Sequence, residues 1–540
     1  MIKTDLEKWL KENKIEGKIE HPAVEKFGDF ATRGEIEITE NKELIEKIER
    51  VAGFTNIFIN RDRLIKEAEK IGSLEWQKEL EKRGDGKTMV IDYSAPNIAK
   101  AFGIGHLRST NIGQALYNIY QFLGWKCIGD NHLGDWGTQF GKLIVAIKKW
   151  SVKPVKEMSI EDLENLYVKF HYEAEKDEKL GDEAREWFSR LENKDKEATD
   201  IWQKCIDISL KEFDRIYKLL GVKIDFAYGE SFYLDKMEAV VKLMEDSRII
   251  KDSEGAKIVE FERMPPAMVI KSNGTTTYFL RDMATVKYRI ETWKPDLIIY
   301  EIGADQELHC RQIFETSKML GWTPQFYNVA HGMIRWTEGK FSTRKGQTIH
   351  LSEVIEKAME EARKIAPEND ETKIKAVAIG AIKFNDLKQD PKKDIIFDWK
   401  KVMSMEGNSG PYLQYTYARC QSVLNKTNYK SSEQTLPASG HLPLTGQANN
   451  GFIDIEDEEM TLLREFYKFE EKIVEASKRF SPAVLAEYLL ILARKYNEFY
   501  AKFRIIGEKE EEQRLFLTQN TVKILKIGLD ILGIKSIEKM

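Results

Sequence analysis

Between residues 112 and 123 the apolar side chains fall at three- and four-residue steps: Ile112, Ala115, Leu116, Ile119, Tyr120 and Leu123. That spacing predicts an amphipathic helix. An apolar run, Thr88 to Ile91, precedes it, and a second apolar segment, near Lys126–Gly129, follows it. The connection before the helix carries Gly103 and Gly105. Strand, glycine-bearing loop, helix and strand in that order make half of a nucleotide-binding βαβ arrangement.

The same reading, carried along the chain, divides it into units. Residues 1–83 give a helix (Thr4–Lys14), strand-like segments at Gly17–Glu20 and Glu35–Ile38, a helix near Lys42–Val51 and a strand at Asn56–Ile59. This is the pattern of a small α+β domain. Glu79–Gly86 reads as a linker, and an α/β region occupies 84–400. Between 146 and 220 the pattern changes to long, charged, amphipathic helix, so residues 146–269 read as a helical insertion between two halves of a parallel sheet. Trp187 and Trp202 there are expected to pack helices. The sheet is expected to resume at Thr276–Leu280 and to continue with the apolar run Leu297–Tyr300, followed by a helix from Glu307 to Leu320. Residues 401–540 are helical, with clear periodicity in Leu462–Ala476, Pro482–Phe503 and Thr521–Leu532. The stretch 425–452 is poor in large apolar residues and reads as a long surface loop.

Composition narrows the functional classes. A chain of 540 residues with 42% hydrophobic content has room for three or four domains with real cores. No stretch approaches the roughly 20 apolar residues of a membrane span. The start, Met1 to Glu7, is charged and lacks a signal-peptide apolar region. The four cysteines, Cys127, Cys205, Cys310 and Cys420, are far apart and form no Cys-x-x-Cys pair. Structural zinc is therefore not expected, and a reducing, cytoplasmic location is. A net charge of −5 excludes a uniformly basic nucleic-acid binder and leaves room for local basic patches. Lysine and glutamate contribute most of the charge.

Two loops suggest phosphate chemistry. His106 stands at the mouth of a helix N-terminus with Lys100 nearby. Some 240 residues on, Phe341-Ser342-Thr343-Arg344-Lys345-Gly346-Gln347 forms a short basic, glycine-ended segment. Taken singly, the first is compatible with a plain strand-to-helix turn and the second with a solvated turn.

As a pair they resemble the HIGH-type and KMSK-type loops of class I aminoacyl-tRNA synthetases. Further segments resemble one member family, the arginyl-tRNA synthetases: Ser94-Ala95-Pro96-Asn97-Ile98-Ala99-Lys100, Asn131-His132-Leu133-Gly134-Asp135-Trp136-Gly137-Thr138-Gln139-Phe140-Gly141, Gly229-Glu230-Ser231-Phe232-Tyr233, Tyr278-Phe279-Leu280-Arg281-Asp282 and Gly410-Pro411-Tyr412-Leu413-Gln414-Tyr415. They stand in the family's order, and Gly28-Asp29-Phe30-Ala31 extends the resemblance to almost the whole chain.

The resemblance implies a Rossmann-type class I catalytic domain with an insertion, a small N-terminal α+β domain that binds the tRNA elbow, and a C-terminal helical anticodon-binding bundle. It implies ATP (with Mg²⁺), L-arginine and tRNA(Arg) as substrates, a monomer, and no membrane partner. His106, Lys100, Arg344 and Lys345 are the implied catalytic residues. Gly103, Gly105, Ser342 and Thr343 join them in binding ATP. Asp92, Asn97, Tyr278, Asp282 and Gln306 are implied for arginine. A planar guanidinium with five donors needs such carboxylate, amide and phenol acceptors.

The chain departs from the family pattern in places. The HIGH-type tetrad reads Gly103-Ile104-Gly105-His106, so its first histidine is absent; the KMSK-type loop ends in Arg344-Lys345; Asp92 replaces a longer glutamate; and Arg33 stands where asparagine is common. Asp282 is open to a second reading as the N-cap of a helix Met283–Glu291. Glu230 is either another pocket acid or the partner of a surface lysine. The Gly28–Arg33 segment is either part of the RNA-binding module or a β-turn.

Overall fold

The computed structural model describes residues 2–13, 17–33, 41–336, 349–365, 370–427 and 455–540. At the N-terminus, helix α1 (Ile2–Glu12) precedes an antiparallel sheet of β1 (Phe30–Arg33), β2 (Ile45–Val51) and β3 (Phe54–Ile59), in the order β1-β3-β2. The segment read as a helix at Lys42–Val51 is thus mostly strand. Leu44, Ile45, Ile48 and Val51 carry helical spacing, but β2 is an edge strand with most of its side chains exposed, so no two-residue alternation marks it. Gly17–Glu20 forms no strand and makes one bridge, Glu20 to Ala31. Glu35–Ile38 lies outside the described residues. Helices α2 (Arg61–Lys70) and α3 (Leu74–Glu81) follow, capped by the side chains of Asn60 and Ser73. The expected linker therefore begins inside α3.

The central sheet is parallel. Its strands β4 (Thr88–Asp92), β5 (Lys126–Asp130), β9 (Leu297–Gly303) and β10 (Gln325–His331) lie in the order β10-β9-β4-β5. Helix α4 (Ile104–Phe122) connects β4 to β5. The chain then returns on the other side of β4, so the strand order reverses between β4 and β9. In open α/β sheets, ligands bind at that reversal, outside the carboxyl ends of the strands.

Between β5 and β9 come α5 (Thr138–Trp150), α6 (Ile160–Ala174), α7 (Lys179–Glu192), α8 (Lys196–Leu220) and α9 (Met237–Asp246). The insertion is not helical throughout. It closes with an antiparallel sheet of β6 (Ile250–Ser253), β7 (Ala256–Val259) and β8 (Ala267–Ile270). The expected strand at Thr276–Leu280 is instead the start of α10 (Tyr278–Trp293), and the parallel sheet resumes only at β9. Trp136 packs edge-on against Trp202 at 5.8 Å, and the Lys148 and Arg190 cations lie over the Trp187 ring, so these aromatics join helices as expected.

After β9, α11 (Glu307–Met319) leads to β10. The short strands β11 (Ile334–Trp336) and β12 (Ile395–Phe397) pair across α12 (Leu351–Ile365) and α13 (Glu371–Leu387). A short α14 (Trp399–Val402) precedes the C-terminal helices α15 (Gly410–Lys426), α16 (Asp457–Phe466), α17 (Lys468–Lys478), α18 (Ala483–Lys502) and α19 (Glu511–Ile531). Of the stretch 425–452, residues up to 426 complete α15, and 428 onward lies outside the described residues.

One apolar core runs from α1 and the N-terminal sheet through α4 to α15–α19. Helix α4 is thus buried between the sheet and the C-terminal bundle. The N-terminal sheet also reaches that bundle through polar groups. Asp29 is buried, accepts the Ile59 amide at 2.8 Å and lies 3.5 Å from Arg464; His21 meets Glu471 at 2.9 Å.

Candidate active site

The loop from Ser94 to Gly103 leaves β4 at the reversal point with unusual backbone geometry. Ser94, Ala95 and Ala99 have φ of 76°, 43° and 62°, in the left-handed region that side chains disfavour. Their amides are each held by a side chain from another element: Ser94 by Ser109 Oγ, Ala95 by Asn131 Oδ1 and Ala99 by Ser209 Oγ, all at 2.9 Å. A loop strained in this way is fixed by α4, by the turn after β5 and by α8. It presents Asn97 and Lys100 outward. Both side chains are exposed, and together with Gln139, Phe140, Leu143 and Tyr167 they line a cavity of about 160 Å³. The Lys100 ammonium lies 5.6 Å over the Tyr167 ring.

Gly103 is the N-cap of α4, with φ −83° and ψ 162°, a conformation open to any residue. A Cβ on Gly105 would meet nothing within 4 Å, so the helix mouth is open there. The Gly103 amide donates to His106 Nδ1 at 3.2 Å, which leaves the proton of a neutral ring on Nε2. Burial lowers the His106 pKa to about 4, with Lys100 and His331 adding repulsion. His106 is therefore a neutral donor at a positive helix end. Behind it, Arg108 is fully buried and anchors α4. Its Nε donates to Asp386 at 2.9 Å, and its Nη1 to the carbonyls of Gly332 and Lys393. His331, at the end of β10, contacts Glu301 at 2.9 Å; burial disfavours its charge, but Glu301 overrides this and raises its pKa.

Three further groups of charges fill the crevice. Arg289 of α10 is completely buried and donates to Asp92 Oδ2 at 2.7 Å and to Asp130 Oδ2 at 2.8 Å, at the ends of β4 and β5. Burial works against its charge, yet Asp92 and Asp130 hold it protonated, and the guanidinium lies 5.2 Å over the Tyr300 ring. Glu230 pairs with Arg281 at 2.9 Å, so its partner is an arginine within the crevice rather than a surface lysine. Asp282 lies in the second turn of α10, whose N-cap is Thr277; the N-cap reading of Asp282 does not hold. Its Oδ2 meets His309 Nε2 at 2.5 Å, and its Oδ1 lies 3.4 Å from His132 Nε2. Burial would raise the Asp282 pKa, but the two imidazoles override it and hold the carboxyl well below the usual range. His132 answers in kind: burial lowers its pKa, Asp282 and Asp92 raise it more, and it settles at about 9.

Tyr278, one turn before Asp282, is 61% exposed, and its ring stands 4.8 Å from that of His309. Gln306 is exposed in the single turn that follows β9. The fold thus brings Asp92, Asn97, Lys100, Gly103, Gly105, His106, Tyr278, Asp282 and Gln306 to one end of the sheet. Ser342, Thr343, Arg344 and Lys345 lie outside the described residues. The sequence reading missed Arg289, Asp130 and the two histidines on Asp282. Of these, only His132 lay inside a segment already singled out. Among the described residues, no group of three or more His, Cys, Asp or Glu could hold a metal ion, and no helix is long and apolar enough to cross a membrane.

Comparison with known proteins covers nearly the whole chain. Residues 70–399 match the family profile for class I (R) tRNA synthetases, catalytic domain, and residues 413–540 match the DALR anticodon binding domain. The chain is 40% identical over 518 residues to the arginine–tRNA ligase of Halothermothrix orenii, covering 93% of this chain and 88% of that one. It is 39% identical over 557 residues to that of Clostridium botulinum strain Okra, covering 97% and 96%. The structure is similar to Thermus thermophilus arginyl-tRNA synthetase, with a TM-score of 0.82, 22% identity and all of both chains covered. It is also similar to the Plasmodium falciparum arginyl-tRNA synthetase, with a TM-score of 0.81, 24% identity and coverage of 100% and 98%.

Proposed function

The chain belongs to the class I arginine–tRNA ligase family, and from that premise we propose that the crevice beyond β4 and β9 makes arginyl-adenylate and passes the arginyl group to the 3′-terminal adenosine of tRNA(Arg). The observation that carries the assignment is the state of the acids. Asp92 and Glu230 are already paired with protein guanidinium groups, whereas Asp282 meets two imidazoles beside the exposed Tyr278. It is an acid suited to a guanidinium brought in from solution.

In the proposed pose, Asp282 and Tyr278 take the guanidinium, Gln306 adds a side-chain acceptor, and Asn97 with Asp92 holds the α-ammonium. The substrate carboxylate oxygen attacks the α-phosphorus of MgATP, and the bond to pyrophosphate breaks. No protein nucleophile is needed, only positioning and neutralisation of two approaching anions. His106 donates from Nε2 to the phosphates at the mouth of α4, where Gly103 and Gly105 leave room. Lys100, with Ser342, Thr343, Arg344 and Lys345, receives the pyrophosphate. A ribose hydroxyl of the terminal adenosine then attacks the arginyl carbonyl carbon, and AMP leaves.

The proposed domains are 1–83 for the tRNA elbow, 84–400 for catalysis with the insertion at about 146–269, and 401–540 for the anticodon. We extend the proposal to a monomer in the cytoplasm. The four cysteines, all free thiols, are compatible with a reducing compartment. A second reading, a synthetase-like RNA binder without catalysis, draws on Gly103 alone and is opposed by the poised His106. Aminoacylation of tRNA with each of the twenty amino acids in turn tests both readings. Arginine alone is expected to be charged. Charging of a different amino acid removes the arginine pocket, and tRNA binding without any charging favours the second reading.

A further inference from the structure

Asp282 presents both of its oxygens to protein imidazoles, His309 on Oδ2 at 2.5 Å and His132 on Oδ1 at 3.4 Å. These side chains are 25%, 20% and 15% exposed respectively, so little water shares the contact. They come from three separate elements: α10, α11 and the turn after β5. A guanidinium that binds Asp282 bidentately needs the same two oxygens. Resting on the reading of Asp282 as the arginine acid, we propose that His132 is a surrogate cation: its imidazolium holds Asp282 while the pocket is empty, and an incoming guanidinium displaces it, with loss of the ring proton to solvent.

The surroundings decide which charge yields. Facing the cluster are Asp92, Asp130 and Arg289, the Glu230–Arg281 pair, Tyr233, Tyr278, Tyr300, Cys310 and Asp135. Arg289 is shared between Asp92 and Asp130, and Glu230 is paired with Arg281. Asp282 is the carboxylate in contact with His132 and the main support of its charge, with Asp92 adding to it. Once a permanent guanidinium occupies it, a second cation in the same half-buried place loses its main counter-charge. Arginine cannot give up its side-chain proton, so the imidazole does. Beyond the 3.4 Å ion pair with Asp282, His132 has no hydrogen-bond partner on either ring nitrogen among the described residues, so no other acceptor fixes its tautomer. His132 and His309 are positioning residues in this scheme. They pre-orient a carboxylate that would otherwise be costly to leave unpaired under burial.

Binding and proton are then linked. The bound state carries one proton fewer on His132, whose ring in the empty pocket titrates at about 9. Arginine affinity must rise with pH up to that value, by at most about tenfold per unit for a single proton. The test is calorimetric titration of L-arginine into full-length protein saturated with tRNA(Arg), near pH 7.5, in phosphate and in Tris. The two buffers have different ionisation enthalpies, so the difference in heat counts protons. Release of about one proton per arginine is expected, with Kd falling as pH is raised from about 7 to 8.5. His132→Asn is expected to bind arginine with proton release near zero and a flat pH profile over the same interval. A merely structural histidine would change affinity without abolishing proton release. Wild-type protein that binds arginine without releasing a proton overturns the surrogate-cation proposal and leaves the arginine pocket standing. Failure of the saturated wild-type complex to bind arginine at all overturns the pocket, and the proposal with it.

Discussion

Replacing Asp282 by asparagine keeps the shape of α10 and removes the carboxylate that a guanidinium would meet. Truncating one partner of a desolvated charge pair costs about 2–5 kcal/mol. Asp282 makes no hydrogen bond to a backbone amide among the described contacts, and its close partners are the rings of His132 and His309. The upper end of that range, about 4–5 kcal/mol, therefore applies to its pairing with substrate. An opposing contribution comes from His132. Its pKa of about 9 stands above a working pH near 7.5, and deprotonating the ring there costs about 2 kcal/mol. The variant largely escapes that cost, because burial disfavours charge on the ring once Asp282, the main group opposing burial, is gone. From a gross loss of about 4–5 kcal/mol the net is about 2–3 kcal/mol near neutrality, or roughly 30- to 200-fold in the KM for arginine. As pH rises toward 9 the offset shrinks and the defect grows. Steady-state aminoacylation at several pH values, with circular dichroism to establish folding, reads both quantities. A KM and kcat for arginine within about threefold of wild type would remove Asp282 from the pocket. A large defect that stayed constant with pH would retain Asp282 and refute its linkage to His132.

Three other outcomes are expected. His106→Ala should lower kcat by about 10²–10³ with a smaller effect on the KM for ATP. Because His106 titrates at about 4, the wild-type kcat profile should show no inflection from that residue between about pH 5.5 and 8; an inflection lost specifically in His106→Ala would contradict the neutral-donor role. ATP–pyrophosphate exchange with arginine should be negligible without tRNA and appear when tRNA(Arg) is added, since Gly103 leaves the phosphate clamp incomplete until RNA binding closes the site; robust exchange in RNA-free buffer would sink this coupling and spare the arginine assignment. Gly113→Ala should lower Tm and activity together, because a Cβ there would sit 2.3 Å from that of Tyr93 and force α4 away from β4; an unchanged Tm would show that the contact can relax.

The packing also bears on how the C-terminal region is probed. Deletion of 401–540 looks from sequence like a clean separation of anticodon and catalytic domains. In the fold, Ile112, Leu116 and Tyr120 of α4 share one core with Leu413, Tyr417, Leu489 and Leu525. Deletion would expose that face of the helix carrying His106. Loss of exchange in such a truncation would then report unfolding as much as lost RNA binding.

What the sequence determined by itself was whatever is local or ordered along the chain. The apolar spacing of 112–123 and the run Leu297–Tyr300 are α4 and β9, because helix and strand periodicity are properties of neighbouring residues. The order of the motifs identified the family, whereas Tyr278 and Asp282 share a helix face only because α10 begins at Tyr278, where the sequence pattern reads as strand. Where local pattern and tertiary pairing disagreed, pairing prevailed. Ile45–Val51 has helical spacing but is a strand because β3 supplies its hydrogen bonds, and Thr276–Leu280 opens a helix because the neighbouring place in the sheet belongs to β9. The charge state of the site was decided only by the fold. Arg289 meets Asp92 across 197 residues and Asp130 across 159, and His309 meets Asp282 across 27. No periodicity encodes such pairs, and the low-dielectric surroundings that set their protonation exist only when the chain has closed over them.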